Sequence, residues 1–371
     1  MSAAPIAADS ETTAAVEAAT VGSAVDDSTV DDSNSGGGAG APTDSLLRVI
    51  EVWTPSVPVP DTRGGEPVDA APAPKLRLAS GCYRRADAFA ARSGGLEFDA
   101  DTGLPGRVFA AGVPVVFDDL QGPGFLRREE AKRDQLTAGL GVPVFSGGEI
   151  AAVVVMLFGS AAEGQAAAAL ETWIPDRERN ELALGAAYYA NLRRFEMISR
   201  HVQFPYGSGL PGEVRAAGEP RLLTDLGRSG AFIRAAGAEA EGLSIALAWP
   251  LVDYGDDIRA VIVLLSSHLA PLAKVWQVWH EHTGDDGTTR LVPVRNVSES
   301  HRELAERLAR QPVSPGVGLL GRAWQAGTPE ACGDFEGERE AEALAAAGVT
   351  GALAFPVFAG TRMTGLIALW T

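Results

Sequence analysis

The chain has 371 residues, 48 acids against 31 bases, and a net charge of −17. Such a surface repels phosphate backbones and anionic lipid, so the reading expects no nucleic-acid and no membrane partner. Two cysteines, Cys82 and Cys332, leave no disulfide framework and point to a reducing, cytoplasmic setting; the longest apolar run, Ile150 to Phe158, falls well short of the roughly 18 residues of a membrane span.

Residues 1–43 are rich in Ala, Ser, Thr, Gly and Asp and contain no aromatic residue and no base. They hold too little apolar surface to offset chain entropy, so a disordered acidic low-complexity tail is expected. Without a basic start or a continuous apolar stretch, the tail does not read as a secretory signal.

The remainder repeats itself. Gly103, Gly209 and Gly318 are spaced by 106 and 109 residues. At fixed offsets from each come Gly112 and Pro114, Gly218 and Pro220, Gly327 and Pro329, then Asp119, Asp225 and Asp334. A proline inside an apolar strand recurs at Pro143, Pro250 and Pro356. One unit of roughly 105 residues is therefore used three times, over 44–160, 161–268 and 269–371, a period too long for a solenoid.

Within a unit the first expected element is a strand carrying Trp: VIEVW (Trp53), ALETW (Trp173), VWQVW (Trp279). In the first copy Leu47, Val49 and Trp53 share one parity. A second strand follows (LRLASGCYRR, LALGAAYYAN, TRLVPVRNV), then a helix, where Ser300-His301-Arg302-Glu303 fits a capping box and Pro312 ends the helical run. A glycine turn leads to a third strand ending at the shared Asp. The next helix, in the first copy GFLRREEAKRDQLTAGLG, is expected to reach Gly139 and Gly141 as left-handed caps. Two strands close the unit as a hairpin over Ser146–Glu149, Tyr254–Asp257 and Ala359–Arg362. The order predicts an α+β domain, an antiparallel sheet flanked by helices.

The strings GLPGRVFAAGVPVVFDDL and GVPVFSGGEIAAVVVMLF, with their counterparts in the other copies, resemble the GAF domain. The resemblance implies six-stranded antiparallel sheets that bind small molecules or pair with each other in signalling proteins. Their pocket would lie between the loop-helix segment after the shared Asp and the sheet. On that basis Asp119, Asp225 and Asp334 are candidate ligand contacts, or else turn caps. Tyr83, Tyr189, Arg107 and Trp324 are candidate lining residues, or else packing residues.

Several other chemistries fare worse. GSGLPG at Gly207–Gly212 has the spacing of a dinucleotide-binding loop, yet that loop needs a strand before it and a long helix after it in a parallel unit. RRFEMISRHVQF before it reads as helix, so the motif is expected to be a tight turn with positive φ and close backbone approach. GAF-type methionine sulfoxide reductases are implied to use several cysteines in one domain, and no copy here has more than one. The bilin-type Cys-His pair and the cyclic-nucleotide N-K-F-D-E pattern are likewise missing. His280 and His282, with Glu281 between them, could hold a metal or form a solvated strand end. With tail and units taking up the sequence, the expectation is a stand-alone, non-enzymatic regulatory or sensory protein in signal transduction, with a small-molecule or protein partner, a homodimer as one option, and no cofactor identified. The alternatives are a reductase-like redox enzyme or a structural dimerisation array.

Overall fold

The computed structural model describes residues 45–56, 73–146, 148–160, 168–253 and 258–371. The expected tail over 1–43, the turn Tyr254–Asp257 and Gly147 of the first hairpin lie outside the described residues.

The first unit is built from β1 (Leu47–Pro55), β2 (Leu76–Tyr83), α1 (Asp87–Ser93), β3 (Glu97–Phe98), α2 (Gly103–Ala111), β4 (Val115–Phe117), α3 (Arg128–Arg133), β5 (Leu136–Ser146) and β6 (Glu149–Gly159). The second repeats it as β7 (Ala168–Asp176), β8 (Glu181–Tyr189), α4 (Arg193–Ser199), β9 (Phe204–Pro205), α5 (Gly209–Ala217), β10 (Arg221–Thr224), α6 (Ala235–Ala240), β11 (Leu243–Val252) and β12 (Ile258–Ser267). The third holds β13 (Val275–Thr283), β14 (Thr289–Val297), α7 (Arg302–Ala309), α8 (Gly318–Ala326), β15 (Glu330–Cys332), α9 (Ala341–Ala346), β16 (Ala352–Ala359) and β17 (Arg362–Trp370). Two sheets have six strands, ordered β3-β2-β1-β6-β5-β4 and β9-β8-β7-β12-β11-β10, and the third has five, β14-β13-β17-β16-β15. Where the third lacks a sixth strand, a single bridge from Leu291 to Val313 takes its place. The strand pairings are antiparallel throughout the described residues.

Each sheet is buried on both faces, which is why its strands read as near-continuous apolar runs. One face is covered by the unit's own helices. The other faces a core common to all three units, in which Ile50, Met156, Ile262, Trp276, Phe355 and Leu369 meet. β4 packs on β8, β10 on β13, and β15 back on β2, so the contact runs in a closed ring. Strands β5, β11 and β16, each second from the edge of its sheet, touch one another, and the repeated Pro143, Pro250 and Pro356 converge at one end.

Four expectations need correcting. Leu47 does not share a face with Val49 and Trp53: the pairing with β6 shifts between Leu47 and Val49, sending Leu47 into the common core and the other two under the helices. Gly139 and Gly141 do not cap a helix but lie within β5. Helix α3 stops at Arg133, with Gln135 supplying the left-handed residue at φ 55°. The two glycines are there for clearance, since a Cβ on Gly141 would lie 2.5 Å from Val108 Cγ2 and one on Gly139 2.8 Å from Leu157 Cδ2. No capping box forms at α7: the His301 N–H donates to Ser298 Oγ at 2.8 Å, and Ser300 Oγ bonds the His301 ring instead. Finally, the glycine turn runs directly into a nine-residue helix beginning at Gly103, Gly209 or Gly318.

That helix settles GSGLPG. Its first and third positions have positive φ in every copy: Asp101 64° and Gly103 62°, Gly207 75° and Gly209 63°, Gly316 74° and Gly318 63°. At the sixth position a Cβ would strike a backbone carbonyl oxygen, 2.1 Å from that of Asp99 for Gly106, 2.2 Å from that of Pro205 for Gly212 and 2.4 Å from that of Ser314 for Gly321. The motif folds the chain back onto the preceding segment, closed by the Gly207 N–H donating to the Gly212 carbonyl at 3.0 Å. The helix that follows packs on antiparallel strands, outside any parallel β-α-β crossover.

Candidate functional site

Two residues before the repeated tryptophan, each first strand carries a polar residue on the helix-covered face: Glu51, Glu171 and Gln277, all fully buried. In the first unit Glu51 receives four hydrogen bonds. Arg127, the residue capping α3, donates from Nη1 to Oε1 at 2.6 Å and from Nη2 to Oε2 at 2.8 Å. The Trp53 indole donates to Oε2 at 3.0 Å and the Tyr83 hydroxyl to Oε1 at 3.0 Å. Four donors saturate a carboxylate. Burial raises the Glu51 pKa, but Arg127 and the bonds from Arg127 and Trp53 outweigh it and hold the carboxyl below its usual range. Burial, and then the Glu51 charge, push the Tyr83 hydroxyl well above its ordinary value.

The second unit repeats the arrangement. Arg234, capping α6, donates to both oxygens of Glu171, which also accepts from Trp173 at 3.0 Å and from Tyr189 at 2.8 Å. Both guanidinium groups lie over aromatic faces, Arg127 4.0 Å from the Phe89 centroid and Arg234 4.5 Å from that of Phe195. Ser93 and Ser199, one turn on from those phenylalanines, accept a further bond from Nη1. The space between helices and sheet is filled by the chain's own arginine.

In the third unit that filling is gone. The capping residue of α9 is Glu340, which turns to Arg307 at 3.0 Å. Phe89 and Phe195 are replaced by Leu304, Ser93 and Ser199 by Leu308, Phe98 and Phe204 by Val313, and Phe125 and Phe232 by Glu338. A cavity of about 130 Å³ opens there, lined by Gln277, Trp279, Leu308, Val313, Leu344 and Trp370 among others. Gln277 is held in place: its Oε1 accepts from Trp370 at 2.9 Å and Trp279 at 3.4 Å, and its Nε2 donates to Asn296 at 3.1 Å.

Of the residues singled out from sequence, Tyr83 and Tyr189 belong to this inner site, as partners of the filled carboxylates. The others lie elsewhere. Asp119 and Asp334 are exposed turn caps, accepting from the Gln121 N–H at 2.7 Å and the Glu336 N–H at 2.9 Å. Asp225, at φ 52°, is exposed beside a shallow groove with His268. Arg107 is exposed, its guanidinium 5.2 Å over Phe117, and Trp324 points away from the cavity to Glu281 at 2.6 Å. His280 and His282 gather no cluster of three metal-ligating side chains among the described residues. The residues missed were Glu51, Glu171 and Gln277 with Arg127 and Arg234. A charged or amide residue repeated two before Trp in an apolar strand, and Phe-x-Arg at Phe125–Arg127 and Phe232–Arg234, were the available signals.

No protein-family model and no curated protein matches this sequence. Among solved structures the chain is similar to GAF domains. One is from the Coxiella burnetii phosphoenolpyruvate-protein phosphotransferase, 22% identical over 29% of this chain and 60% of that one, with a TM-score of 0.24. Another is a GAF domain from A. aeolicus in an inactive state, 22% identical over 27% of this chain and 57% of that one, TM-score 0.22. A free methionine-R-sulfoxide reductase from Neisseria meningitidis, in complex with its substrate, is 17% identical over 28% and 53%, TM-score 0.21. Each match therefore spans little more than half of the solved chain and about one unit of this one.

Proposed function

We propose that this is a non-enzymatic regulatory protein of GAF type, three units on one chain, in which the third unit senses a small molecule and the first two serve as scaffold. The observation that carries the reading is the contrast in filling: Arg127 and Arg234 occupy in two units the space that stands open in the third. The net charge of −17 and the absence, among the described residues, of a helix long and apolar enough to cross a membrane fit a partner that is neither nucleic acid nor bilayer. Two unpaired cysteines fit a reducing compartment. The three inner sheet faces are spent on the common core, so a homodimer would have to use helical surface.

A redox role finds little support in the thiols. Burial pushes Cys82 up to about 11, and Cys332 is raised as well, by burial first. A nucleophilic cysteine needs the opposite shift. Turnover of free methionine sulfoxide by the purified protein would overturn the non-enzymatic reading. The binding reading is tested by native mass spectrometry of protein from its own host, wild type against Val313→Phe, which restores the side chain of the filled units. A small non-covalent mass retained by the wild type and lost in the variant is expected; the same mass on both would place the ligand elsewhere.

A further inference from the structure

Resting on that binding reading, the cavity's chemistry narrows its guest: we infer that the third unit takes a small, uncharged, single-ring or similarly compact molecule that presents a hydrogen-bond acceptor to Gln277.

Size comes first. A cavity of about 130 Å³ compares with the roughly 150 Å³ apolar cavity known to admit benzene, so one ring and its substituent fill it. The walls Leu308, Val313, Leu344, Trp279 and Trp370 offer apolar and aromatic surface.

Charge comes second. The other two units show what an ionic guest needs at this floor: a carboxylate that receives two guanidinium N–H groups and two further donors. The third unit has an amide there instead. The charged residues of the lining, Glu338, Arg339 and Glu340, are half-buried or exposed, whereas Gln277 is fully buried, so an ion brought against Gln277 would be desolvated at a floor that offers it only an amide. The carboxylates nearest the cavity are already matched, Glu338 with Arg322 at 3.2 Å and Glu340 with Arg307 at 3.0 Å.

Polarity comes third. Indole N–H groups only donate, so the two tryptophans fix which end of the Gln277 amide is oxygen. That oxygen is occupied twice. One Nε2 proton goes to Asn296, and the second has no partner among the described residues. The buried polar group left to meet a guest is therefore a donor, and the guest supplies a carbonyl, ether or hydroxyl oxygen.

The test uses three probes of one shape and different charge, benzamide, benzoate and benzamidine, titrated calorimetrically into the full chain. Benzamide should bind the wild type at least tenfold more tightly than either ion. Gln277→Glu, which installs the carboxylate of the filled units, should reverse the order in favour of benzamidine, and Val313→Phe should abolish all binding. Benzamidine or benzoate matching benzamide on the wild type would overturn the charge assignment, whether or not Gln277→Glu folds. If no probe binds while the native-mass experiment still shows a molecule lost on Val313→Phe, the ligand class is wrong and the site reading stands. If that experiment is also empty, both fall.

Discussion

Arg127 and Glu51, 76 residues apart in sequence, meet in a doubly hydrogen-bonded ion pair with both side chains almost fully buried. Arg234 and Glu171 repeat it across 63 residues. Each pair ties the start of the unit's third helix, α3 or α6, to the middle of the first strand, and so closes the helical layer over the sheet. The third unit has the same layers without the pair: Gln277 bonds within its sheet, to Trp279, Trp370 and Asn296, and Asn296 in turn donates to the Ala305 carbonyl of α7 at 2.7 Å. The pair is thus not needed to form the fold, but once present neither partner can be removed alone.

Arg234→Ala should accordingly cost about 3–5 kcal/mol, the toll of leaving a buried carboxylate without its counter-ion. Replacing both partners, as in Glu171→Gln with Arg234→Leu, should recover most of it, because that pairing approaches what the third unit already uses. Denaturant unfolding of the single and double variants checks this. Equal destabilisation by both would mean that the cost does not come from stranding the Glu171 carboxylate.

Acid should act on the same feature. The Glu51 carboxyl lies below its ordinary value of 4.5 in the folded protein. Its contribution to stability is therefore present in full above about pH 4.5 and is lost as the pH falls through the depressed folded value. Unfolding free energy should drop more steeply below pH 4.5 in the wild type than in Glu51→Gln combined with Arg127→Met. Identical slopes would show that Glu51 does not titrate with folding.

Much of this fold could be read in advance, and the reason is repetition. Three in-register copies fixed the strands, the closing hairpins and the conserved-offset glycines, since a local pattern seen three times outweighs propensity. The helix over 209–217 was harder to see, because Gly-Leu-Pro-Gly has poor helix propensity: Gly212 answers to clearance against Pro205, and Gly209 to a positive φ and to clearance against Ile233 and Phe204. The site was read worst. Exposed Asp119, Arg107 and Asp334 drew attention as polar residues in loops, whereas the groups that matter sit inside apolar strands and under aromatic rings. Burial of Glu51 follows from the ring of sheets and the helical cover together, and neither is a local property of VIEVW.

The glycine motif makes a prediction with internal contrast. Gly212→Ala would put a Cβ 2.2 Å from the Pro205 carbonyl oxygen, and a backbone atom cannot rotate away. The cost should be on the order of 1–3 kcal/mol. Gly207→Asp should be milder, because its φ of 75° is one aspartate tolerates, as Asp101 does at 64°, and the nearest atom to a Cβ there is 4.0 Å away. Thermal melts of the two variants should rank in that order, with NAD shifting neither. Stabilisation of the wild type by NAD, lost in Gly207→Asp, would restore the nucleotide-loop reading.

The common core predicts how the chain unfolds. Its members come from the inner faces of all three sheets, and the ring closes through β15 on β2. The closing contact is specific: Arg84 of the first unit donates to Thr350 of the third at 2.6 Å, and Ser80 accepts from the Ala331 N–H at 3.1 Å. Leu46 is tied to Pro271 by a backbone bond of 2.9 Å, so the start of the first strand is anchored to the entry of the third unit. Removing one unit would expose the inner faces of the other two, including Trp249 and Leu247, which are buried here. Folding free energy that sits in a shared core is lost by all its contributors at once. The chain should therefore unfold in a single calorimetric transition, with matching van't Hoff and calorimetric enthalpies. A chain ending at residue 268 should bind a hydrophobic dye and aggregate. Three resolved transitions, or a soluble and cooperatively folded two-unit fragment, would show that the units are joined in series and that the ring adds little to their stability.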